Sequence, residues 1–527
     1  MNDADALWIG IDVGTQSVKA TVIDGAGKRL AAASSPLRSH RESRPDGNRH
    51  EQDPHQWVGS THAVLAEIVT DLTPSQRACI SGIAICATSG SLTTIDEKGS
   101  PVSAGIMYDD ARAGALADEV VAAAPELWKH LGFRIQPTWA LPKILWLHRN
   151  GLLAVPAEPY GPTTGGSKNS AGAARYVAHQ ADLVASSLIG RRVASDWSHA
   201  LKSGYDLREE RWPEAALKEL GIDSRLLPHI VPPGTILGKT DTRLAETTGI
   251  RQGTPVFAGM TDGCAAQLGA GALGLGDCHT VIGTTMVLKT VSASLIADDA
   301  GAVYSHRSPE AGLWFPGGAS NVGAGIISVL FPHEDLDELT TSTADYYGAK
   351  PVAHLPFSYP LPGTGERFPI VEPSADGFVS ADGTEFPIGE ALQQLGELKT
   401  YAAVLVGVAC VERLALEQLA GSDGAPAGML SSSGGGTKNA WWVQLRSDLL
   451  GREISVSSTA DGSTGMAILA AWAAQKFHPD ADALAEIASR MTHADRTYRP
   501  DTERTKELNT VYEAFIRSLT RKGWMAG

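Results

Sequence analysis

The sequence Ile9-Gly10-Ile11-Asp12-Val13-Gly14-Thr15-Gln16-Ser17, near the start of the chain, is the most informative one for the fold. Apolar, β-forming residues dominate 7–11 and 18–23, and the polar sequence Gly-Thr-Gln-Ser lies between them. This pattern predicts two strands joined by a tight turn. Asp12 is predicted to lie where the first strand meets the turn.

The residues of this turn have the chemistry of a phosphate and cation site. Gly14 has no side chain, so backbone N–H groups can approach an anion closely. Thr15, Gln16 and Ser17 add side-chain donors. The Asp12 carboxylate is suited to hold a divalent cation, usually through water. An ordinary hairpin with a polar turn is the alternative.

A second carboxylate beside glycines lies in Ala258-Gly259-Met260-Thr261-Asp262-Gly263. A short apolar strand at 256–258 and an Ala-rich stretch at 264–268 flank it, which predicts that Asp262 starts a helix. The helix dipole and nearby N–H groups keep such a carboxylate ionised. In a cleft it would take a proton from a hydroxyl group, whereas a plain helix N-cap is the alternative.

The hairpin pattern recurs in Thr280-Val281-Ile282-Gly283-Thr284-Thr285-Met286-Val287-Leu288, which again predicts strand, Gly-Thr turn and strand. Repetition of a phosphate-binding hairpin indicates internal duplication. The fold of actin, sugar kinases and heat-shock ATPases is organised in this way. We therefore expect an α/β protein with two duplicated, actin-like domains and an interdomain cleft that clamps a nucleotide.

Composition limits the class of protein. A chain of 527 residues exceeds one typical domain, and its 43% of hydrophobic residues suffices for two cores. The net charge of −15 and the pI of 5.5, without a long Lys/Arg run, argue against nucleic acid or an anionic membrane as a partner. We expect an enzyme that acts on small molecules.

The sequence predicts neither secretion nor a set of disulfides or zinc ligands formed by the cysteines. The chain starts with an acidic, polar segment and has no apolar run long enough to span a bilayer, so we expect a cytoplasmic protein. The cysteines lack C-x-x-C spacing, which favours free thiols over a zinc site or disulfides. They are Cys79, Cys86, Cys264, Cys278 and Cys410.

Composition shifts along the chain suggest its domains. We expect a sugar-binding domain at 1–253 and a nucleotide-binding domain at 254–527. Residues 155–174 are rich in Pro, Gly, Ser and Thr and predict a mobile loop, either a lid or a passive insertion. The C-terminal stretch 498–518 predicts a helix whose apolar face serves the core or a dimer contact, so a homodimer is possible.

One glycine motif does not fit its usual role. Gly269-Ala270-Gly271-Ala272-Leu273-Gly274 spells the dinucleotide fingerprint G-x-G-x-x-G. In that fingerprint the glycines follow a strand and open a helix, whereas here a predicted helix precedes them and a strand follows. A Walker A loop is absent from the sequence as well, so hairpins and glycine turns would have to hold ATP.

Several separate motifs, taken in order, make the chain resemble the FGGY family of carbohydrate kinases nearly from end to end. They are the Asp12 hairpin, His50-Glu51-Gln52-Asp53-Pro54 with Trp57, Tyr108-Asp109-Asp110-Ala111-Arg112, Lys143-Ile144-Leu145-Trp146-Leu147, the Asp262 step, Gly283-Thr284-Thr285, Gly365-Glu366-Arg367-Phe368-Pro369 and Ser433-Gly434-Gly435-Gly436-Thr437-Lys438-Asn439. The resemblance implies an ATP- and Mg²⁺-dependent sugar kinase.

The resemblance also implies roles for the two carboxylates and the two hairpins. Asp262 would be the general base, and Asp12 would orient Mg²⁺ or the sugar. Gly14, Thr15, Gln16 and Ser17 would meet the γ-phosphate from one domain. Gly283, Thr284 and Thr285 would face the same phosphates from the other domain.

The run of glycines at 434–436 resembles the family's nucleotide-binding turn. Such a turn lets the backbone lie flat against adenine or ribose, and Thr437, Lys438 and Asn439 extend it. A flexible connector is the alternative. Gly323, in Ser320-Asn321-Val322-Gly323-Ala324-Gly325, resembles a further turn on the nucleotide side.

The sugar pocket is expected in the first domain, where carboxylate, guanidinium, hydroxyl and aromatic groups suit a polyhydroxyl ligand. Its predicted residues are Asp12, Thr88, Ser89, Tyr108, Asp110, Arg112 and Asp262. A structural ion pair is a serious alternative for Asp110 and Arg112. We expect Gly365-Glu366-Arg367 to be structural.

Departures from the family pattern bear on the substrate. Ala87-Thr88-Ser89-Gly90-Ser91 replaces the Arg-Glu pair of glycerol kinases and the Met-His-Gly of xylulokinases. Together with 195–206, this segment is similar to ketopentose kinases that act on D-ribulose. We expect D-ribulose first and D-xylulose second. The alternatives are a kinase for a tetritol, pentitol or other polyol, a sugar- or nucleotide-sensing pseudokinase, and a chaperone-type ATPase.

Overall fold

The computed structural model describes residues 6–154, 175–298, 300–348, 355–420, 426–475 and 482–525. The loop predicted at 155–174 lies outside the described residues. Within the described ranges, no helix is both long and apolar enough to cross a membrane. All five cysteines are free thiols, as predicted, and only Cys79 is more than marginally exposed.

Strands and helices are interspersed along the chain. The strands are β1 Leu7–Val13, β2 Ser17–Asp24, β3 Arg29–Pro36, β4 Ser39–Glu42, β5 Arg49–Gln52, β6 Ile80–Ala87, β7 Leu92–Ile95, β8 Gly105–Ile106, β9 Tyr176–His179, β10 Ser195–Asp196, β11 Ile230–Val231, β12 Ile236–Lys239, β13 Pro255–Phe257, β14 Cys278–Ile282, β15 Met286–Thr290, β16 Tyr304–Arg307, β17 Trp314–Ser320, β18 Phe357–Tyr359, β19 Phe378–Ala381, β20 Thr384–Pro387, β21 Leu430–Ser433, β22 Ile454–Val456 and β23 Arg496–Tyr498. The α-helices are α1 Pro54–Thr70, α2 Pro74–Ala78, α3 Ala117–Ala123, α4 Pro125–His130, α5 Ala140–Arg149, α6 Gln180–Ile189, α7 Trp197–Ala200, α8 Glu214–Glu219, α9 Thr242–Thr248, α10 Asp262–Gly269, α11 Gly325–Leu330, α12 Leu336–Gly348, α13 Ala391–Gln418, α14 Ala440–Leu450, α15 Gly462–Gln475, α16 Leu484–Met491 and α17 Thr502–Arg521.

The chain forms two compact units. The first comprises Met1–Gly271, His306–Ala311 and Asp461–Thr492, and the second comprises Ala272–Ser305, Gly312–Ala460 and His493–Gly527. The predicted boundary at 253/254 therefore differs from this grouping. The physical reason is that β13 pairs with β6, which holds β13 and the α10 that follows it in the first unit.

The main sheet of the first unit has the strand order β12-β13-β6-β1-β2-β3. β1 and β2 form the antiparallel hairpin that the sequence predicts, with Val13 opposite Val18. β6 is parallel to β1, and β13 is parallel to β6. Alternating and continuous apolar runs bury this sheet: Ile9, Ile11 and Val18 are fully inaccessible to solvent.

The main sheet of the second unit contains the order β17-β15-β14-β21-β22-β23. Each strand has the orientation of its counterpart in the first unit: β14 is antiparallel to β15 and parallel to β21, and β22 is parallel to β21. The expectation of a duplicated α/β fold is confirmed. Leu508, Val511 and Phe515 of α17 are buried in this unit's core, so the predicted apolar face serves the core.

Candidate active site

The first hairpin holds Asp12 near the carboxyl end of β1, where Asp12 lies opposite Lys19 of β2. The turn is closed by the Gly14 N–H, which donates to the Ser17 carbonyl over 3.0 Å. Oδ1 of Asp12 is buried and has no hydrogen-bond partner among the described residues. Burial raises the pKa of Asp12 to about 7, and the charges of Asp262 and Asp461 act in the same direction.

Asp262 is the first residue of α10, as the sequence predicts. The N-cap position belongs to Thr261, so Asp262 is not the plain cap that was the alternative. Its Oδ1 accepts the backbone N–H of Gly263 over 2.7 Å. Thr261 also forms a parallel β-bridge with Ala87 at the end of β6.

Topology brings these two carboxylates to the same edge of the sheet. β1, β6 and β13 are adjacent and parallel, and Asp12 and Asp262 come at or just after the carboxyl ends of β1 and β13. In open α/β sheets, this edge is where ligands bind. The arrangement makes both carboxylates candidates for direct contact with a substrate.

Sequence reasoning missed a third carboxylate, Asp461, which immediately precedes α15. Asp461 accepts the Thr464 N–H over 2.9 Å and so caps that helix. The start of α15 lies against β1 without room for side chains: a Cβ at Gly462 would be 3.1 Å from Oδ2 of Asp12, and one at Gly10 would be 1.7 Å from the Ser463 carbonyl. The sequence signal that could have identified Asp461 is an Asp-Gly pair at the start of a helix, as in Asp262-Gly263.

The turn at 88–91 is held from several sides. Oγ1 of Thr88, which the sequence predicts to bind the sugar, donates to Gln180 over 2.7 Å and so already has a hydrogen-bond partner. Oγ of Ser89 is buried without a partner among the described residues, as a group that awaits a ligand would be.

Two lysines bind the backbone of this turn. Nζ of Lys143 donates to the carbonyls of Gly90 (3.2 Å) and Met107 (2.6 Å), and Nζ of Lys202 donates to the Ser89 carbonyl over 3.2 Å. Lys143 is fully buried, and burial lowers its pKa to about 7. These bonds fix the turn relative to the loop that begins at Met107.

Asp110 and Arg112 form a buried ion pair, which was the structural alternative for them. Nε and Nη2 of Arg112 donate to the two carboxylate oxygens of Asp110 over 2.8 and 2.7 Å, and Glu51 accepts a further bond. The backbone N–H of His50 also donates to Asp110 over 2.7 Å. Tyr108, by contrast, is 38% exposed.

The second hairpin resembles the first in that a glycine starts its turn, although the turn is one residue shorter. The Gly283 N–H donates to the Thr285 carbonyl over 3.0 Å. Gly323 packs directly on this turn, because a Cβ there would lie 2.6 Å from the Thr284 carbonyl oxygen. The predicted turns at 283–285 and 323 therefore form one backbone surface in the second unit.

The glycine run after β21 is packed rather than a loose connector. Gly434 has a φ of 90°, and a Cβ there would lie 2.5 Å from the Ile282 carbonyl oxygen. Gly436 is buried against the Ile282 side chain, whereas Gly435 is exposed with open space around it. The run thus lies beside the Gly283 turn.

The side chains of the three residues after the glycine run differ in their contacts. Thr437 donates its hydroxyl back to the Gly434 carbonyl, and Lys438 is exposed. Asn439 caps α14 by accepting the Trp442 N–H over 2.9 Å and donates to the Tyr401 hydroxyl over 3.2 Å. The Asn439 side chain therefore has a structural role already.

No group of three or more His, Cys, Asp and Glu side chains in the described ranges is arranged to enclose a metal ion. Asp12 still fits the predicted role, because its unpartnered, buried Oδ1 is an oxygen of the kind that Mg²⁺ prefers. Mg²⁺ keeps several waters and binds through one or two carboxylates and substrate phosphates. A site with a single protein carboxylate is consistent with this mode of Mg²⁺ binding.

Known proteins match the chain along most of its length. Residues 7–269 match the N-terminal domain of the FGGY family of carbohydrate kinases, and residues 278–474 match its C-terminal domain. Gluconokinase and xylulose kinase of Bacillus subtilis (strain 168) are 25% and 23% identical over 97% of this chain and 95% and 96% of theirs.

A solved structure extends the likeness to the fold. The xyloylose kinase from Brucella ovis has a TM-score of 0.82 at 21% identity and covers 98% of this chain and 99% of its own. The two family matches confirm the resemblance drawn from the motifs. The chain belongs to the FGGY family of carbohydrate kinases, enzymes that use ATP to phosphorylate a sugar.

Proposed function

We propose that this sugar kinase transfers the γ-phosphoryl group of ATP to a hydroxyl group of a ketopentose, with D-ribulose as the first candidate and D-xylulose as the second. The observation that carries the proposal is the position of Asp262 at the start of α10, at the same sheet edge as Asp12. A base and an anion-binding hairpin at one edge are what this reaction requires.

Asp262 is proposed to accept the proton of the attacking hydroxyl group. Its Oδ1 accepts the Gly263 N–H over 2.7 Å, which fixes the carboxylate at the start of the helix. The first turn of α10 favours the ionised carboxylate, and an ionised carboxylate is the form that accepts a proton.

Asp12 is proposed to hold either Mg²⁺ or a sugar hydroxyl group through its unpartnered Oδ1. Bound Mg²⁺ would neutralise charge on the phosphates. Burial and two neighbouring carboxylates make the ionised form of Asp12 costly in the free enzyme. A cation at this position would therefore be bound where negative charge is least compensated.

The remaining predicted residues are proposed to bind the sugar and the nucleotide. In the first unit, the turn Gly14, Thr15, Gln16 and Ser17 would donate to phosphate, and Thr88, Ser89 and Tyr108 would line the sugar pocket. In the second unit, Gly283, Thr284, Thr285, Gly323 and the run 434–438 would contact the nucleotide. Asp110, Arg112 and Asn439 would support these loops through the bonds described above.

Similarity of segments 87–91 and 195–206 to ketopentose kinases supports a ketopentose. The relatives are named for gluconate and for xylulose, so an aldonate belongs in the comparison. A cytoplasmic location and a possible homodimer stay predictions.

The test measures ADP release from Mg-ATP with D-ribulose, D-xylulose, gluconate, pentitols, tetritols and glycerol, using wild type and Asp262→Asn in parallel. We expect one ketopentose to stimulate the wild type most, and Asp262→Asn to lose about 1,000-fold in kcat while its affinity for ATP is retained. Strongest stimulation by gluconate would overturn the ketopentose assignment. Full activity of Asp262→Asn would overturn the base assignment.

A further inference from the structure

The segment 195–200 lies directly behind the proposed base. β10 and α7 place Asp196, Ser198 and His199 there, and all three side chains are at most 3% exposed. Oγ of Ser198 accepts the backbone N–H of Thr261 over 2.8 Å. Thr261 is the residue before Asp262, and its own side chain makes no capping bond to α10.

Asp196 fixes the direction of the Ser198 hydroxyl. Oδ1 of Asp196 accepts that hydroxyl over 2.6 Å, so a lone pair of the serine oxygen is left for Thr261. The same Oδ1 accepts the backbone N–H groups of Ser198 (2.9 Å) and His199 (3.1 Å). Because these groups are buried, water cannot replace a lost bond without rearrangement.

His199 completes the network. Its Nδ1 bonds to Oδ2 of Asp196 over 2.5 Å, and its Nε2 is buried without a partner in the described part of the chain. The ring stacks on His179 with centroids 5.9 Å apart. Burial opposes the charged form, but Asp196, and more weakly Asp182 and Asp262, raise the pKa of His199 above its ordinary value.

We propose that Asp196, Ser198 and His199 are positioning residues that hold the start of α10, and with it Asp262, in the orientation needed for proton abstraction. The inference rests on the proposed role of Asp262 as the base. Ser198 acts through the Thr261 backbone, Asp196 orients Ser198, and His199 supplies the counter-charge for the buried Asp196 carboxylate. None of the three needs to touch the sugar.

The test compares kcat and KM of Ser198→Ala with those of Ser198→Thr, which retains a hydroxyl group. We expect Ser198→Ala to lose about tenfold to 100-fold in kcat, with KM for ATP and for the sugar within about twofold of wild type. Ser198→Thr should recover kcat to within about threefold. The sugar is the one that gives the highest rate with the wild type.

Ser186→Ala is the matched control. Ser186 is a buried serine of α6 in the same unit, and its hydroxyl donates to the Asp182 carbonyl over 2.7 Å. Its loss should lower the thermal midpoint and leave kcat within about twofold. A kcat of Ser198→Ala equal to that of Ser186→Ala would overturn the proposal.

His199→Asn decides the question if Ser198→Ala does not fold. The amide can still donate to Asp196, but the ring and its charge are lost, and we expect kcat to fall about threefold to tenfold at unchanged KM for ATP. An unchanged kcat would show a purely structural network. If Asp262→Asn is active, the base assignment fails; if it is silent while Ser198→Ala and His199→Asn are fully active, the positioning network alone fails.

Discussion

The hairpins β1–β2 and β14–β15 both start their turn with a glycine, but they differ in turn length and in charge: four residues separate Val13 from Val18, and three separate Ile282 from Met286. Each turn is closed by a glycine N–H that donates to a carbonyl over 3.0 Å, from Gly14 to Ser17 and from Gly283 to Thr285. Two residues before the glycine, the first hairpin has Asp12 and the second has Val281. The two hairpins therefore share the glycine of the turn, but not the carboxylate.

The three carboxylates of the candidate site, Asp12, Asp262 and Asp461, all belong to the first unit. Burial raises the pKa of Asp12 most, and the charges of the other two carboxylates raise it further. In the second unit the corresponding edge is formed by glycines at 283, 323 and 434–436. The candidate carboxylates therefore lie in the first unit, whereas the candidate residues at the corresponding edge of the second unit are glycines.

The strongest test of this asymmetry exchanges the two residues. Asp12→Val gives the first hairpin the side chain of the second, and we expect kcat to fall by about 100-fold or more, because the site loses its proposed cation or sugar ligand. Val281→Asp gives the second hairpin the side chain of the first. Val281 is partly exposed, so we expect kcat within about threefold of wild type and a normal melting temperature.

The outcome for Asp12→Val separates two explanations of the asymmetry. Retention of kcat would show that both hairpins act through the backbone alone. Loss of kcat in Val281→Asp, comparable to that of Asp12→Val, would show that the hairpins tolerate no change at this position, and the contrast between the units would be wrong.

The next effect is on stability. The pKa of Asp12 is about 7 in the folded protein and 3.8 for an ordinary aspartate, so the folded state binds the proton more tightly than the unfolded chain between these values. Stability should therefore fall as pH rises through this window and level off above about pH 7, with an upper limit of roughly 4 kcal/mol. The stability of Asp12→Asn should not fall in this way, because an asparagine side chain does not titrate.

Thermal midpoints of wild type and Asp12→Asn, measured from pH 4 to pH 8 with EDTA present, check this prediction. The variant should be the more stable protein at pH 8, and its advantage should shrink as the pH falls. An advantage that is the same at every pH would mean that Asp12 does not titrate in this range. Added Mg²⁺ should reduce the advantage if Asp12 binds it.

A third effect concerns the glycines of the two turns. A Cβ at Gly283 has no neighbour closer than 3.8 Å, and one at Gly14 none closer than 3.3 Å, whereas one at Gly323 would lie 2.6 Å from the Thr284 carbonyl oxygen. We expect Gly14→Ala and Gly283→Ala to fold normally but to raise KM for ATP about tenfold, because the methyl group obstructs the phosphate.

Gly323→Ala should behave differently from these two variants. It forces the Thr284 turn to move, so it should lower the melting temperature as well as the affinity for ATP. Melting curves and KM for ATP of the three variants distinguish the two effects. Normal affinity in both Gly14→Ala and Gly283→Ala would contradict the phosphate role of the hairpins.

The smallest effects are expected after the glycine run of the second unit. Lys438 is exposed, and Lys438→Ala should raise KM for ATP about threefold without a change in melting temperature. Asn439 caps α14, and Asn439→Ala should cost about 1 kcal/mol of stability. An unchanged KM in Lys438→Ala would mean that this unit binds the nucleotide without the lysine charge.

Local patterns predicted the elements of the site well. The two hairpins and the helix that starts at Asp262 follow from apolar runs broken by glycine and polar residues, and such patterns act over a few residues. The pattern left a structural ion pair of Asp110 and Arg112 as an alternative, and it did not reveal the further partners of these side chains or those of Asn439. Those partners are Glu51, the His50 backbone and Tyr401, and all three are brought close only by folding.

The sequence was sufficient to predict the duplicated α/β architecture, the two glycine-containing hairpin turns and the family, because each is encoded by short motifs in a fixed order. The tertiary structure was needed to show that residues 461–492 belong to the first unit and that Asp461 acts on Asp12. It also decided that Ser198 holds Thr261. The physical reason is that these contacts join residues 63 to several hundred positions apart through burial and close backbone packing, which local sequence patterns do not record.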